Sequence, residues 1–392
     1  MSTSAAQPGG LPGDTALTAR RCAAQLLSGQ PARTPAEVAR RLLAVQAQDP
    51  RGARLAVRAR SAGLSAADVD AALGHRALVI SWLNRGTLHL VRTEDYWWLH
   101  PLTVPQLRTG NARRLGQEGV PPDDAERAVR VVRDALAADG PLTRAQLRVR
   151  VAAAGVRTEG QALVHILFLA SIRGLIVRGP MSGQDQAFAL VSDWLGKPPT
   201  PLPREAALAE LARRYLAGHA PASDRDLAKW AGIGLRDARL GLAGCGARQR
   251  PDGLAELAGQ AADSQAADGQ PADSQPADSQ PGDSQPGDSQ PGDSQPEAAL
   301  PPPRLLGAFD PLLLGWASRE PVTGPHGEIV TVNGLFRPFA LVAGRAVATW
   351  TFTAGQVGLA PFAPLDPETT AALRADAADV VRFLGPASPA SG

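Results

Sequence analysis

Two glutamines stand two residues apart in the segment AVQAQDP at 44–50, and an aspartate follows them. The amides of Gln46 and Gln48 are no use as proton acceptors, but an amide can hold a water molecule or the edge of a nucleobase. The pair therefore favours chemistry in which uncharged groups position a water molecule. The pattern places the pair at the end of a helix, where two exposed polar residues at a frayed terminus are the structural alternative.

Asp49 allows two interpretations. Its carboxylate could stabilise positive charge that develops during a reaction, or it could cap the turn before Pro50, a common use of aspartate. From the sequence alone, the capping role is the one we favour.

Arg85 and His89 are the other polar candidates, both in and around the segment RGTLHLV. They could reach a DNA groove or phosphate groups. They could equally be a solvated turn arginine and a histidine packed in a sheet, and the sequence leaves both alternatives open. Trp97 and Trp98 fit a core better than a platform for stacked bases.

We expect neither a cofactor nor a metal. The sequence has no phosphate-cradling loop, no Cys-x-x-Cys motif and no defensible Ser-His-Asp set. The remaining histidines are scattered and lack metal-ligand spacing. They are His75, His100, His165, His219 and His326.

The formal net charge of +2 conceals two regions of opposite sign. Residues 261–297 hold seven Asp and one Glu and no basic residue, a charge of −8, so the other residues carry +10. All basic residues except Lys197 and Lys229 are arginine. An arginine-rich folded portion with a positive excess is compatible with a nucleic-acid backbone as partner.

The acidic region repeats a five-residue unit, ADSQP or GDSQP, from about 261 to 296. Almost none of its residues can enter a core, so the composition predicts a disordered insertion. A tolerated repeat expansion in a surface loop explains it more simply than a function does.

At 392 residues the chain is long enough for two or three domains. Cys22 and Cys245 lie far apart and suit a reducing compartment rather than a disulfide framework. The first residues lack the basic and apolar regions of a signal peptide. The longest apolar run, 162–172, has 11 residues, too few to cross a bilayer. We therefore expect a cytoplasmic protein without a membrane span.

The helix and strand patterns recur in one order, three helices followed by a β-hairpin, which is the layout of a winged helix. This order predicts a mainly α fold with small β-hairpins (α+β), made of three tandem winged-helix modules plus a β-rich C-terminal portion with a final helix. The first hairpin turns at Asn84-Arg85-Gly86. The predicted boundaries are 14–105, 121–195 and 202–260 for the modules, 261–300 for the insertion and 301–385 for the C-terminal portion.

Local signals mark the helix starts. A Ser or Thr followed three residues later by an acidic or amide residue forms a capping box. The predicted starts are Thr34 with Pro35 and Glu37, Ser65, Thr143 with Gln146, Thr158 with Gln161, and Ser223 with Asp226.

Four segments, in this order, resemble the AlkZ/YcaQ group of winged-helix DNA glycosylases. They are VQAQDP, RGTLHLV, FDPLLLGW at 309–316 and NGLFRPFALVAGRAVATW at 333–350. The resemblance runs over roughly 15–385, apart from the acidic repeat. One departure is that Ala317-Ser318-Arg319 follows FDPLLLGW where the family pattern has an Asp-Arg pair, so any role of that Asp is missing here.

The resemblance implies a monofunctional glycosylase that acts on double-stranded DNA carrying N7-alkylated purines. Bulky adducts and crosslinks made by DNA-alkylating natural products are among the implied substrates, with self-resistance of a producing organism as the implied role. The family's catalytic signature is Gln, an apolar residue, then Gln or Asp. Gln46-Ala47-Gln48 matches the Gln-x-Gln form of the AlkZ branch.

The chemistry supports this role for the glutamines. An N7-alkylated base carries a positive charge and already leaves readily, so the enzyme has to stabilise an oxocarbenium-like sugar and place one water against C1′. Two amides can do the placing through hydrogen bonds. Asp49 could add electrostatic support.

A non-catalytic winged-helix transcriptional regulator is the alternative function. Three modules in one chain argue against a simple dimeric operator reader, because its two half-sites demand two-fold symmetry. We therefore expect a monomer.

Overall fold

The computed structural model describes residues 12–183, 185–258, 299–331 and 334–385. The predicted disordered insertion at 261–300 lies outside the described residues, apart from its last two. No helix within the described ranges is long and apolar enough to cross a membrane.

The N-terminal part contains four helices and a hairpin among the described residues, and one of the helices was not predicted from the sequence. The unpredicted helix, α3, begins at Pro50 with Asp49 as its N-cap. Ser65 caps α4 as predicted, because its N–H donates to Asp68 Oδ2 over 2.7 Å. The bounds are α1 (Pro12–Ala24), α2 (Pro35–Leu42), β1 (Val45–Gln46), α3 (Pro50–Arg58), α4 (Ala66–Gly74), β2 (Leu78–Leu83) and β3 (Thr87–Arg92).

The prediction that the two glutamines lie at a helix end is wrong. Helix α2 ends at Leu42, and the positive φ of 62° at Leu43 takes the chain out of the helix. Gln46 then lies in strand β1. The start of α2 agrees with the sequence, since the N–H of Glu37 donates to Thr34 Oγ1, although the Glu37 carboxylate accepts from the N–H of Arg33.

The middle of the chain adds two helices, α5 and α6, that the sequence analysis did not predict. The capping box of Thr143 and Gln146 is confirmed at the start of α8. The one predicted at Thr158 is wrong: α9 begins at Ala162, and the N–H of Gln161 donates to Glu118 Oε2 over 3.0 Å. The bounds are α5 (Thr93–Thr103), α6 (Leu107–Gln117), α7 (Pro122–Asp139), α8 (Arg144–Ala153), α9 (Ala162–Ile172), β4 (Ile176–Ser182), β5 (Asp185–Leu190) and α10 (Val191–Trp194).

The next segment follows its predicted order of three helices and a short hairpin. Ser223 and Asp226 form the predicted capping box. The bounds are α11 (Arg204–His219), α12 (Asp224–Ala231), α13 (Leu235–Gly244), β6 (Ala247–Gln249) and β7 (Ala255–Leu257).

The C-terminal portion is a small antiparallel sheet covered by a long helix. The strands lie in the order β11-β10-β9-β8, and Asp366 caps the helix through the N–H of Thr369. The bounds are β8 (Arg304–Leu306), α14 (Pro311–Leu314), α15 (Glu320–Thr323), β9 (Phe339–Val342), β10 (Arg345–Thr353), β11 (Gln356–Pro361) and α16 (Pro367–Leu384).

Charged contacts hold the chain on both sides of the insertion. Before it, Glu256 in β7 pairs with Arg20 and Arg250. After it, Asp376 of α16 pairs with Arg304 and accepts the N–H of Leu305 over 2.6 Å. The two ends of the insertion are therefore each anchored to the folded part of the chain.

The first two hairpins belong to one sheet, with the strands in the order β1-β3-β2-β4-β5. Strands β2 and β4 join through the pair Ile80 and Arg178. Because side chains alternate along a strand, the sheet separates two hydrophobic clusters: one contains Val79 and Val91, and the other contains Ile80 and Leu90.

The α+β class with small antiparallel sheets is confirmed. Three winged-helix modules, and the boundaries assigned to them, stay predictions. The first two predicted modules share one sheet, so they pack directly against each other.

A fully buried ion pair fastens the N-terminal part to the C-terminal portion. The side chains of Arg60 and Asp310 have no exposed surface. The two Nη atoms of Arg60 lie 2.7 and 2.9 Å from the carboxylate oxygens of Asp310. Arg60 also donates to Ala56 O and Gln25 Oε1, and Asp310 Oδ1 accepts from the N–H of Leu312, so most polar atoms of the pair have partners.

Replacing Asp310 with Ala should lower the free energy of unfolding by about 3–5 kcal/mol, because it leaves the Arg60 charge buried without a counter-ion. Urea denaturation followed by circular dichroism measures the change. Asp379→Ala is the matched control, since that aspartate also pairs with an arginine but is 37% exposed, and it should cost less than about 1 kcal/mol. Equal losses in the two variants would contradict an organising role for the buried pair.

Candidate active site

The two glutamines lie against the second strand of the first hairpin. In β1, Val45 pairs with Leu90 and Gln46 pairs with His89. The N–H of Ala47 donates to Leu88 O over 2.7 Å, so the pairing continues one residue beyond β1. Residues i and i+2 of an extended chain point to the same side. Gln46 lies in β1, and Gln48 follows two residues later, beyond the end of the strand.

Gln46 is buried, with 7% of its surface exposed, and its Oε1 has no hydrogen-bond partner in the described part of the chain. A buried carbonyl oxygen without a partner costs about 1–3 kcal/mol. Buried polar atoms without a hydrogen-bond partner are rare in folded proteins, so each one requires an explanation. A substrate or a water molecule that donates a hydrogen bond to Oε1 would supply the partner.

Gln48 is exposed, and its side chain folds back onto β3. Its Oε1 accepts from the N–H of Leu88 over 3.3 Å. This contact holds the Gln48 amide against β3 and leaves its Nε2 donors without a bond to the described residues.

Thr87 completes a polar group that we call the glutamine site: Gln46, Gln48, Thr87 and His89. Thr87 Oγ1 is buried and has no partner among the described residues. Thr87 is not among the residues predicted from the sequence. The signal that could have found it is strand periodicity, since Thr87 stands two residues before His89 in a predicted strand.

His89 is neutral in this site. Burial, and after it the nearby charge of Arg85, lower its pKa to about 3. Its Nδ1 lies 2.9 Å from Thr87 O, which can only accept, so Nδ1 carries the hydrogen. Only 2% of the residue is exposed, so its placement matches the sheet-packed alternative rather than a contact with a DNA groove.

Asp49 has the capping geometry that the sequence favours. Its Oδ1 accepts from the N–H of Arg51 over 3.0 Å at the start of α3. Electrostatic support of a reaction by this carboxylate stays a prediction.

Arg85, at the turn of the first hairpin, is partly buried and directed at α12. Its Nη1 donates to the carbonyl oxygens of Lys229 and Trp230 over 3.2 and 2.7 Å. Burial lowers its pKa, and the positive charge of Arg319 lowers it further. The turn is thereby joined to the C-terminal end of α12.

The segments AVQAQDP and FDPLLLGW come together in space. A Cβ atom at Gly52, in the first turn of α3, would overlap the carbonyl oxygen of Ala308. The absence of a side chain at Gly52 thus lets α3 approach the residues directly before Phe309. Phe309 itself has a φ of 58°, a left-handed conformation uncommon for phenylalanine.

Within the described ranges, no three His, Cys, Asp or Glu side chains are grouped so that they could hold a metal ion. The glutamine site itself consists of hydrogen-bonding groups without charge, since burial keeps His89 neutral. These can position a water molecule beside a polar or cationic substrate.

Comparisons with known proteins agree on one kind of relative. The model of the family described as "DNA glycosylase AlkZ-like" matches residues 39–383. An "Interstrand DNA cross-link repair glycosylase" of Streptomyces sahachiroi is 25% identical over 381 residues, which cover 92% of this chain and 94% of the relative. The solved structure of Streptomyces sahachiroi DNA glycosylase AlkZ is similar in fold, with a TM-score of 0.69 and 22% identity, over 95% of this chain and 98% of that one.

The neutral state of His89 predicts how stability depends on pH. In the unfolded chain the imidazole takes up a proton near pH 6.5, whereas in the folded chain it does so near pH 3. Between these values the unfolded state binds the extra proton, so stability falls as pH falls, by about 1.4 kcal/mol per pH unit for this group. His89→Gln should remove that contribution.

The measurement is the free energy of unfolding of both proteins at pH 7.5, 6.0 and 5.0. Thr87→Ser is the matched control, because it alters the same site and keeps the imidazole. An unchanged pH slope in His89→Gln would show that the folded state protonates His89 as readily as the unfolded state.

Proposed function

The chain belongs to the AlkZ-like family of DNA glycosylases, which hydrolyse N-glycosyl bonds, and on that basis we propose that its substrates are N7-alkylated purines in double-stranded DNA. We include bulky adducts and interstrand crosslinks made by DNA-alkylating natural products. The curated relative is named as a cross-link repair glycosylase, which supports the wider substrate range.

The observation that carries this proposal is the buried, unpartnered Oε1 of Gln46 beside the tethered amide of Gln48. In the proposed reaction the bond between C1′ and the base nitrogen breaks, so that the cationic base leaves as a neutral molecule. A bond forms between C1′ and the oxygen of a water molecule, which releases one proton to the solvent. Gln46 Oε1 accepts a hydrogen bond from that water, and the Nε2 of Gln48 helps to orient it. Orientation of this kind can supply a large part of a rate enhancement.

The charge state of the site suits such a substrate. The base is cationic before it leaves, and the sugar is oxocarbenium-like in the transition state. A protonated histidine would repel both, and burial keeps His89 neutral. A site without a strong base also spares unmodified DNA, whose neutral bases are poor leaving groups.

The size of the adduct does not change this geometry. A methyl group and a bulky drug adduct on N7 require the same position of water at C1′. From the Gln-x-Gln form of Gln46-Ala47-Gln48 we separately propose that the protein contributes to the self-resistance of an organism that makes a DNA-alkylating natural product.

We further propose that the protein acts as a monomer in the cytoplasm and without a cofactor. One chain supplies every residue of the glutamine site. Cys22 and Cys245 are free thiols, which suits a reducing compartment.

The direct test is incubation of the protein with a duplex that carries one N7-alkylguanine, followed by heating in alkali. Strand scission at the adduct is the expected result, because excision leaves an alkali-labile abasic site. Tight binding to one undamaged sequence with no abasic product would favour the alternative, a transcriptional regulator.

Replacing Gln46 or Gln48 with Ala should slow excision by roughly 10–1000-fold, which corresponds to about 1.4–4 kcal/mol of transition-state stabilisation. Binding to adduct DNA should stay almost intact. The measurements are single-turnover excision rates and the Kd for the same duplex. The loss should be largest for stable lesions, because labile cationic adducts partly depart unaided.

Two variants sharpen this prediction. Gln48→Asp recreates the Gln-x-Asp form of the signature and should retain activity, whereas Asp49→Asn should matter less than either alanine variant because Asp49 caps α3. Full activity in the double variant Gln46→Ala, Gln48→Ala would remove the pair from the mechanism.

A further inference from the structure

Arg85 contacts the C-terminal end of α12, which carries Lys229, and the charge of Arg319 acts on Arg85. We call these three basic residues the cation cluster. Arg85 Nη1 donates to Lys229 O over 3.2 Å, and Lys229 Nζ donates to Ala317 O over 2.8 Å. Arg319 follows Ala317 by two residues. The cluster thus joins the first hairpin, α12 and the segment after α14.

Backbone carbonyl oxygens hold the cluster in place. Arg319 Nε donates to Leu313 O over 3.0 Å, and its guanidinium lies 5.1 Å from the ring centre of Phe336. Together with the contacts of Arg85 and Lys229, this orients all three side chains without neutralising any of them.

No member of the cluster forms an ion pair with a carboxylate in the described part of the chain. The acidic groups nearest in the sequence are Asp226 and Glu320. Asp226 is buried and already accepts hydrogen bonds from Ser223 and from the N–H of Ala317. Glu320 is exposed and makes no contact within ion-pair distance of Arg319. Burial lowers the pKa of Arg85, and the uncompensated positive charge of Arg319 lowers it further.

Each cation keeps donors for a ligand. Within the described part of the chain, the hydrogen bonds of these side chains use only Nη1 of Arg85, one donor of Lys229 Nζ and Nε of Arg319. Lys229 is exposed and the two arginines are partly exposed. Guanidinium donors in this arrangement suit the oxygens of a phosphate group.

The cluster lies next to the glutamine site. Arg85 is two residues before Thr87 in the same hairpin, and its charge acts on His89. If a DNA strand places one deoxyribose at the glutamine site, the phosphates of the same and the adjacent nucleotides would lie close to that site.

We propose that Arg85, Lys229 and Arg319 together bind a backbone phosphodiester of the DNA strand that carries the damaged base. The proposal rests on the proposed function for the choice of strand and adds Lys229 and Arg319 as phosphate-binding residues. It also resolves an electrostatic conflict. Three cations near an oxocarbenium-like sugar would oppose the reaction, whereas a bound phosphodiester offsets their charge while the substrate is in place.

The test is the Kd for an undamaged duplex, measured by fluorescence anisotropy between 50 and 300 mM KCl with the full chain and with Lys229→Gln and Arg319→Gln. Each variant should bind more weakly, and the slope of log Kd against log salt should fall by about 0.9 for each lost phosphate contact. Lys229→Arg and Arg319→Lys keep the charge and should keep the slope. Arg374→Gln in α16 removes an exposed cation outside the cluster and should change neither quantity.

The outcomes separate this proposal from the proposed function, because binding of undamaged DNA needs no excision. Unchanged slopes in Lys229→Gln and Arg319→Gln, with excision intact, would overturn the phosphate site alone. Reduced slopes in a protein that does not release an N7-alkylguanine would overturn the substrate and keep the phosphate site. If the salt slope falls in Arg319→Lys as much as in Arg319→Gln, the positive charge at position 319 does not cause the salt dependence. This result would also overturn the phosphate site.

Discussion

The ion pair of Arg60 and Asp310 sets the relation between two parts of the chain that are 250 residues apart in sequence. Two charges without solvent are costly unless each finds its counter-charge and further hydrogen bonds. Here the partners include Gln25 and the first turn of α14. Any other position of the segment that begins at Phe309 would leave one of the two charges buried without a counter-ion. This segment therefore has one favourable position against α3. The contact at Gly52 and Ala308 then follows.

That position decides what surrounds the glutamine site. Strand β1 is only two residues long and depends on β3 for its hydrogen bonds. Strand β3 in turn belongs to a sheet with a hydrophobic cluster on each side. The amides are thus carried by a rigid framework. Arg85, at the turn of the hairpin, donates to the end of α12, and Lys229 of α12 donates to Ala317 after α14. Rigid support is what orientation of a water molecule by neutral groups requires.

Local signals in the sequence predicted the elements that depend on local interactions. The turn at Asn84–Gly86 and the capping boxes at Thr143 and Ser223 are where the sequence places them. The box at Thr158 failed because a distant carboxylate, Glu118, takes its place. Gln46 and Gln48 were selected by chemistry and by resemblance, but their strand was not predicted, because two residues are too few to show a period. The contact of Lys229 with Ala317 joins residues that are distant in the chain, and no signal in the sequence predicts it.

The anchors on both sides of the acidic insertion carry an evolutionary consequence. Glu256 holds the residues before the insertion and Asp376 holds those after it, so neither anchor belongs to the five-residue units. Loop-closure entropy grows slowly with length, by only about 0.6 kcal/mol for each doubling. Near-identical repeats are prone to gain or lose copies when DNA is replicated, and such changes would be close to neutral for folding. The copy number should therefore vary among strains while the glutamine site stays the same, so that it records ancestry rather than selection.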